Sequence, residues 1–218
     1  SYYEFYLRDS CNANDESLWL GPLLGSTLCD TLLAPYYESF DLGFDRGSGA
    51  QNAGASISPC WNRNRDTLFF WGGGQGNTPS TGTGPTGDKT SGTGNYVYTE
   101  ASAGSGGDTA ILETGYIDLS ALAQPELRFW YHMYSQNGQN LLFQWEIYSG
   151  GSWIILGSLA GDQGNLWQEQ RHDLSNYLNQ TVRFRFVVLK ASGGSIYQSD
   201  VALDELVVDE KIACNPYT

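Results

Sequence analysis

The sequence predicts an all-β protein whose strands pack as a sandwich of two sheets. Three observations support this fold class. Apolar and polar residues alternate in short segments along most of the 218 residues, which is the period of a half-buried strand. Turn signals rich in glycine separate these segments. Residues that favour strands are abundant, since aromatics make up 14% of the chain. Residues that favour helices are scarce, and the chain has only one Met.

The first 35 residues are expected to form an N-terminal extension. Residues 2–8 alternate as in a strand, and a loop-like sequence with Cys11 and Cys29 follows. We therefore divide the chain into this extension, residues 1–35, and one large β domain, residues 36–218.

The β domain begins with strand candidates at residues 38–44 and 67–71 and a long Gly/Thr/Ser-rich loop at residues 72–94. Later strands follow at regular spacing. They are expected at residues 95–102, 109–119 with a break near Gly115, 127–135, 141–149, 152–160, 167–175, 181–190 and 201–210. With the earlier segments, this gives about ten or eleven strands and no long helix.

Alternation also predicts which side chains of three central strands face the core. They are Leu127, Phe129, Tyr131, Met133, Leu141, Phe143, Trp145, Ile147, Val182, Phe184, Phe186 and Val188. Between the first two of these strands, Asn137-Gly138 predicts a hairpin, because a type I′ turn needs positive φ at both positions. Gly150-Gly151 predicts the next hairpin.

One motif suggests a nucleotide site, but its context argues against it. Gly82-Thr-Gly84-Pro-Thr-Gly87 matches the G-x-G-x-x-G pattern. A dinucleotide loop follows a buried parallel strand and opens a helix. This segment lies in a Gly/Thr/Ser loop and precedes a strand, so we expect no nucleotide.

Charge and cysteine content limit the partners and the compartment. The net charge is −13, and no cluster of basic residues exists to neutralise phosphates, so nucleic acid is excluded. No apolar run of about 20 residues predicts membrane insertion. Four cysteines without a C-x-x-C pair, and only two histidines, favour disulfides in an extracellular setting over a zinc site. Without an initiator Met or a signal peptide, we expect a processed secreted chain, or a trimmed one.

Four segments resemble MAM domains, extracellular modules named for meprin, A5/neuropilin and receptor tyrosine phosphatase mu. Residues 83–102, TGPTGDKTSGTGNYVYTEAS, are similar to the family phrase T-G-P-x-x-D-H-T-x-G-x-G-x-Y-x-x-x-E-x-S. ESFDLGF followed by Cys60-Trp61 is similar to F-D-F-E and C-G-W. LRFWYHMYS and SDVALDELVV resemble the central and closing strands, and the four segments keep the family order.

The resemblance implies a jelly-roll sandwich of two antiparallel sheets with an adhesive or recognition role. Some positions depart from the family. Lys89 replaces a His, Glu126 a Cys and Gly43 an acidic residue, and the first 35 residues have no counterpart. These differences indicate a distant member, of the kind that bacterial surface proteins carry.

The resemblance also implies a Ca²⁺ site where the opening strand, the G-P-x-x-D loop and the closing strand meet. The matching positions are Asp41, Asp88, Asp200 and Asp204. Clustered carboxylates suit a cation that prefers six to eight oxygen ligands. In the alternative interpretation, Asp88 caps a turn while Asp200 and Asp204 accept backbone N–H groups.

Three disulfide connectivities are possible. We favour Cys11–Cys29 with Cys60–Cys214, because the first closes a short loop and stabilises by about 3 kcal/mol. The rival joins Cys29 to Cys60, closer to the family's N-terminal bridge, and leaves Cys11 for Cys214.

Catalysis is not expected. The acidic pairs Asp204-Glu205 and Asp209-Glu210 place neighbours on opposite faces, unlike the alternating acids of a glycosidase strand. His172, Asp173 and Ser175 are too close in one strand to form a triad. His132 in the central strand is interpreted as a structural histidine.

The leading functional hypothesis is a non-catalytic adhesion or recognition module that binds another surface protein or its own kind. Carbohydrate binding is one alternative, and an exposed strip of Trp and Tyr on one sheet would favour it. A second is a surface filament assembled through residues 2–8, which fails if those residues pair within their own chain. Asn179-Gln-Thr181 is an N-glycosylation sequon, meaningful in a eukaryotic secretory path.

Overall fold

The computed structural model describes residues 29–44, 57–137, 141–191 and 197–212, together with the backbone of four strands in the first 28 residues. The N-terminal strands are β1 Tyr2–Leu7, β2 Ser10–Asn12, β3 Asp15–Glu16 and β4 Leu20–Ser26. β1 pairs antiparallel with β4, and β2 pairs with β3. The N-terminal strand is therefore paired within its own chain, which contradicts the filament hypothesis.

The remaining strands of the described chain form a sandwich. They are β5 Leu32–Leu33, β6 Tyr36–Glu38, β7 Trp61–Arg63, β8 Trp71–Gln75, β9 Asn95–Thr99, β10 Thr109–Thr114, β11 Ile117–Asp118, β12 Pro125–His132, β13 Leu141–Ser149, β14 Ser152–Ala160, β15 Gln168–Asp173, β16 Thr181–Lys190 and β17 Val201–Glu210. A short 3-10 turn, Ser175–Tyr177, lies between β15 and β16.

The strands form two sheets. Sheet I has the order β14-β13-β16-β10-β7, with β11 beside β16 and β5 beside β11. Sheet II has the order β15-β12-β17-β9-β8, with β6 beside β17. Successive strands β14 to β17 alternate between the sheets, and every pair is antiparallel except β5 with β11. The predicted sandwich of two antiparallel sheets is confirmed. The predicted domain boundary between residues 35 and 36 falls between β5, which belongs to sheet I, and β6, which belongs to sheet II. This boundary stays a prediction.

The core lies between the sheets and is built from the alternating apolar side chains. All twelve side chains predicted to face inward are at most 4% exposed. Phe129 of sheet II lies at the centre, with ring-centroid distances of 5.1 Å to Phe186 and 5.4 Å to Trp145 of sheet I. Burying a side chain of this size stabilises the fold by about 1.5–3 kcal/mol.

Two strands near the start of the domain have bounds that differ from those predicted. Of the segment expected at residues 38–44, only Glu38 lies in a strand, as the last residue of β6, and Phe40 has a φ of 58°. The segment expected at residues 67–71 is a strand from Trp71 onward, so the glycines taken as loop belong to β8. A side chain at Gly74 would lie 2.7 Å from the Tyr96 ring, so glycine is needed there for sterics.

One predicted hairpin is confirmed and one is wrong. β13 pairs with β14 through Gly150 and Gly151, whose φ values are 58° and 87°. The strand before Asn137 belongs to sheet II, whereas the strand after it belongs to sheet I. The segment therefore crosses between sheets, and Gly138 itself lies outside the described residues.

Cys29 and Cys60 form a disulfide. The favoured pairings of Cys11 with Cys29 and of Cys60 with Cys214 are therefore wrong, and the rival pairing of Cys29 with Cys60 is confirmed. It links the chain just before β5 to the chain just before β7, at a sequence separation of 31. Cys214 lies outside the described residues, so its pairing with Cys11 stays a prediction.

Candidate recognition surface and the predicted calcium residues

The Gly/Thr/Ser-rich loop, residues 76–94, covers the outer face of sheet II. The indole N–H of Trp167 donates to the Gly87 carbonyl at 3.0 Å, and the Lys89 amino group lies 4.3 Å from the centre of the Trp130 ring. Beneath the loop, Tyr96 and Tyr98 are at most 3% exposed. Tyr96 and Tyr98 are thus packed beneath the loop, whereas Trp130 and Trp167 are half-buried against it and Tyr37 of β6 is 55% exposed.

Asp41 and Asp88 meet at Gly94, close to the start of β9. Asp41 accepts a hydrogen bond from the Asn95 N–H at 2.8 Å, and Asp88 accepts one from the Gly94 N–H at 2.8 Å. A side chain at Gly94 would lie 2.7 Å from a carboxylate oxygen of Asp41 and 2.9 Å from one of Asp88. The structure therefore brings these two predicted calcium residues together.

Asp204 of β17 belongs to the same cluster. It is 1% exposed, and its two oxygens accept the backbone N–H groups of Lys89 and Glu205, at 2.9 and 2.8 Å. Burial raises the pKa of Asp204 to about 7, these two hydrogen bonds lower it, and the negative charges of Glu205 and Asp88 raise it further. The shift arises because a buried carboxylate loses hydration.

Asp88 shows the opposite balance. Burial alone would raise the pKa of this carboxyl, but hydrogen bonds from the backbone of Ser91, Gly94 and Thr90 hold it below its ordinary value. The Asp88 carboxylate therefore caps the turn that follows it in the loop. The alternative interpretation of the sequence, in which Asp88 caps a turn, describes the same arrangement.

Asp200 lies apart from the other three, opposite Glu100. It accepts the Ala101 N–H at 2.8 Å and is fully buried. Burial raises the pKa of Asp200 to about 7, and the charge of Glu100 adds to the shift. Asp200 directly precedes β17 and bonds to Ala101, whereas Asp204 bonds to Lys89, so the two carboxylates contact different loops.

A backbone bulge separates the two halves of β17. Arg128 pairs with Val207 but Trp130 pairs with Asp204, so β17 holds one extra residue, and Glu205 has a φ of 50°. The bulge shifts the inward positions from Val201 and Leu203 to Leu206 and Val208. It frees the Glu205 carboxylate to accept hydrogen bonds from the hydroxyls of Tyr37 and Thr90.

The donor chemistry of Asp41, Asp88 and Asp204 suits calcium, because all are oxygen ligands. Within the described ranges, however, no three His, Cys, Asp or Glu side chains are arranged to hold a metal ion. The carboxylate oxygens of Asp88 and Asp204 instead accept backbone N–H groups. Calcium binding stays a prediction.

The two histidines are engaged in structural contacts. The Nε2 atom of His132 lies 3.0 Å from the side-chain oxygen of Asn165, and burial lowers the pKa of His132 to about 4. His172 accepts a hydrogen bond from the Trp145 indole at 2.6 Å. A shallow cavity of about 300 Å³ lies beside His132 and Trp167. These contacts agree with the interpretation of His132 as a structural residue.

The outer face of sheet I is the surface that sequence reasoning missed. Arg185 stacks on Trp153 at 4.3 Å, and the rings of Trp153 and Tyr148 are 5.2 Å apart. Arg183 lies 5.2 Å from the centre of the Tyr116 ring. Alternation along β16 already points both arginines outward, but only the pairing of β13, β14 and β16 places the aromatic rings beside them.

Charges on this face are balanced. Arg183 pairs with Glu113, and Arg185 pairs with Glu146 at 2.6 Å. The face is thus locally neutral in a chain whose net charge is −13. At its edge, Ile155 of β14 is 60% exposed and points to the same side as Glu146. We refer to residues 116, 148, 153, 155, 183 and 185 as the aromatic–arginine face.

Comparison with known proteins identifies relatives over most of the chain. The family model of the MAM domain, meprin/A5/mu, matches residues 44–215. Neuropilin-1a of Danio rerio is 32% identical over 145 residues, which cover 63% of this chain and 15% of that protein. MAM domain-containing protein 2 of Mus musculus is 30% identical over 157 residues, or 66% of this chain and 20% of that protein. The chain thus corresponds to a small part of each relative.

A solved structure supports the fold. The K1 cleaved adhesin domain of Lys-gingipain from Porphyromonas gingivalis has a TM-score of 0.54 and 16% identity, covering 81% of this chain and 98% of its own. In the part of the chain described here, no helix has the length and apolar character to cross a membrane. The family match spans well over half of the residues and agrees with the four resembling segments. The chain therefore belongs to the MAM domain family, meprin/A5/mu.

Proposed function

We propose that this chain is a non-catalytic recognition module that makes protein–protein contacts at a cell surface through its aromatic–arginine face. Membership of the MAM family supports an extracellular, adhesion-type role. The Cys29–Cys60 disulfide agrees with an oxidising compartment. The partner is another surface protein or a second copy of this chain.

The observation that carries the proposal is the composition and charge of this face. Trp, Tyr and Arg are the residue types enriched at binding hot spots, and Trp and Tyr bury a large area with few rotatable bonds. The rings of Trp153 and Tyr148 pack against each other at an angle of 58°, and Arg185 lies over the Trp153 ring with its charge already balanced by Glu146. A partner would therefore cover apolar rings without leaving an unpaired charge.

Carbohydrate binding remains the second candidate. Tyr116, Tyr148 and Trp153 form an aromatic group on one sheet, which is the feature expected to favour it. Against this, Arg185 already stacks on Trp153, and Lys89 stacks on Trp130. A sugar ring would have to displace a cation or use the opposite side of each ring, so protein contact is favoured.

The test compares two substitutions on the aromatic–arginine face with one on the opposite side. Labelled wild-type chain, Trp153→Ala, Arg185→Glu and Leu166→Ser would be measured for binding to a panel of extracellular protein domains that includes this chain. Leu166 is 75% exposed beside the loop that covers sheet II, so it serves as the matched control. Circular dichroism would verify that each variant is folded.

Both face variants are expected to weaken binding by about 30-fold, equivalent to a hot-spot loss of about 2 kcal/mol. Leu166→Ser should bind like wild type. Undiminished binding by both face variants would show that the contact lies elsewhere. A glycan array that captures the wild-type chain, with no protein in the panel bound, would favour carbohydrate recognition instead.

Calcium at Asp41, Asp88 and Asp204 is a separate proposal. Support comes from their convergence near Gly94 and from the raised pKa of Asp204 (about 7), which a nearby cation would lower. Such an ion would join the loop of residues 88–94 to β17 and stiffen the site without touching sheet I.

A further inference from the structure

The turn before β16 carries an exposed Asn and Thr in the spacing of a glycosylation sequon. Residues 178–181 are all exposed. Asn179 has a φ of 58°, and Thr181 is the first residue of β16. The N-x-[ST] pattern occurs only once in the 218-residue sequence, at Asn179-Gln180-Thr181.

The backbone of this turn is held in place while the two sequon side chains are not engaged. The N–H of Gln180 donates to the Tyr177 carbonyl at 3.1 Å, and the N–H of Leu119 donates to the Gln180 carbonyl at 3.0 Å. The Gln180 side chain bonds to Ser149 at 2.6 Å. Among the described residues, the side chains of Asn179 and Thr181 form no hydrogen bond of their own. The amide and the hydroxyl are therefore presented together to solvent on a fixed support.

Glycosylation chemistry requires this pair. The Asn amide is the acceptor, and the hydroxyl two residues later completes the motif that the transferase recognises. The donor is an oligosaccharide attached to a lipid through a diphosphate. The Asn amide nitrogen forms a bond to C1 of the first sugar, the bond from C1 to the diphosphate oxygen breaks, and the amide loses one proton. The lipid diphosphate leaves.

We infer that Asn179 is an N-linked glycosylation site when the chain passes through a eukaryotic secretory pathway. The location suits a bulky, hydrated group, because residues 178–181 are all exposed. Asn is also the residue other than glycine that best tolerates positive φ, so the modified side chain requires no change of backbone. The disulfide and the family membership agree with an extracellular route.

A purely conformational role for Asn179 makes a different prediction. If Asn were present only because the turn needs positive φ, the nearby hydroxyl of Thr181 would have no part in it. Glycine would then replace Asn179 at no cost to the turn. The two explanations are separated by changing the residues one at a time.

The experiment uses the full 218-residue chain, secreted from cultured animal cells behind a cleavable signal peptide. Intact mass would be measured before and after treatment with peptide N-glycosidase, which releases the glycan and leaves Asp at position 179. We expect one glycan on the wild-type chain, and mass spectrometry of the peptide that contains Asn179 should locate it there.

The variants are Asn179→Gly, Thr181→Ala and Thr181→Ser. The first two should lose the glycan completely, whereas Thr181→Ser, which keeps the hydroxyl, should retain it. A secreted wild-type chain with unmodified Asn179 would overturn the inference, as would a glycan that persists in Thr181→Ala. If a variant is not secreted, peptide mass spectrometry of the wild-type chain alone still decides, because the site is either occupied or bare.

Discussion

Replacing Asp204 with Asn is expected to reverse the order of stability between mutant and wild type as the pH rises. The folded pKa of Asp204 is raised from 3.8 to about 7, chiefly by burial. Between these two pH values the folded chain holds a proton that the unfolded chain has lost. The unfolded state then binds fewer protons, so this group lowers the free energy of unfolding as the pH increases.

The size of the effect follows from the shift. About three pKa units correspond to about 4 kcal/mol at 1.36 kcal/mol per unit. Near pH 4 the mutant should be less stable by about 1 kcal/mol, because Asn has a single acceptor oxygen for the N–H groups of Lys89 and Glu205. Near pH 8 it should be more stable by about 3 kcal/mol, since no buried charge has to form.

Urea unfolding of both proteins in calcium-free buffer at a series of pH values provides the measurement. Other buried groups contribute too: the pKa of His132 is lowered to about 4, which acts in the opposite direction, and that of Asp200 is raised to about 7. These contributions cancel in the difference between mutant and wild type. A difference that stays constant from pH 4 to pH 8 would refute the reasoning.

Three further perturbations test the calcium proposal, the core and the disulfide. Calcium should raise the melting temperature of the wild-type chain but not of Asp204→Asn, and unchanged melting in excess chelator would remove the calcium proposal. Phe129→Ala should lower the free energy of unfolding by about 3–5 kcal/mol in urea, because the ring fills the centre of the core; a loss below about 1 kcal/mol would contradict that placement. Replacing both Cys29 and Cys60 with Ser should cost about 3.5–4 kcal/mol for a loop of this length, and reduction of the wild-type chain should reproduce the loss, whereas equal stability of the oxidised and reduced forms would speak against the bridge.

Side-chain alternation predicted the parts of the fold that depend on local sequence. Phe129, Phe143 and Phe186 each sit in a strand with a clear two-residue period, and all three are fully buried. The Gly150-Gly151 hairpin was also predictable, because two positive φ values define its turn. These features are encoded within a few neighbouring residues.

Features that depend on distant partners were missed. Asn137-Gly138 has the sequence of a hairpin, but the strand before it pairs with β15 and β17, whereas the strand after it pairs with β14 and β16. The Gly72–Gly74 segment lacks the apolar side chains of a strand, and the rings of Tyr96 and Tyr98 explain the glycine at position 74. The alternation of side chains along one strand does not identify the strands that pair with it.

The candidate site was predicted in part. The family resemblance brought together Asp41, Asp88 and Asp204, but grouped Asp200 with them although it bonds to Ala101. The phase change at Glu205 could have been seen in the spacing of Leu203 and Leu206, where the two-residue period slips by one. The stacking of Arg185 on Trp153 required the register between β13 and β14 and between β13 and β16.

The loop of residues 76–94 makes the two outer faces of the sandwich different, because among the described residues it packs on sheet II and not on sheet I. A β-sandwich with two exposed sheet faces can bind further copies on both sides, so its assembly is open-ended. In the described part of the chain, residues 76–94 lie over the outer side of sheet II, so two copies that met through their aromatic–arginine faces would bury both of these faces. Assembly through this surface would stop at a pair.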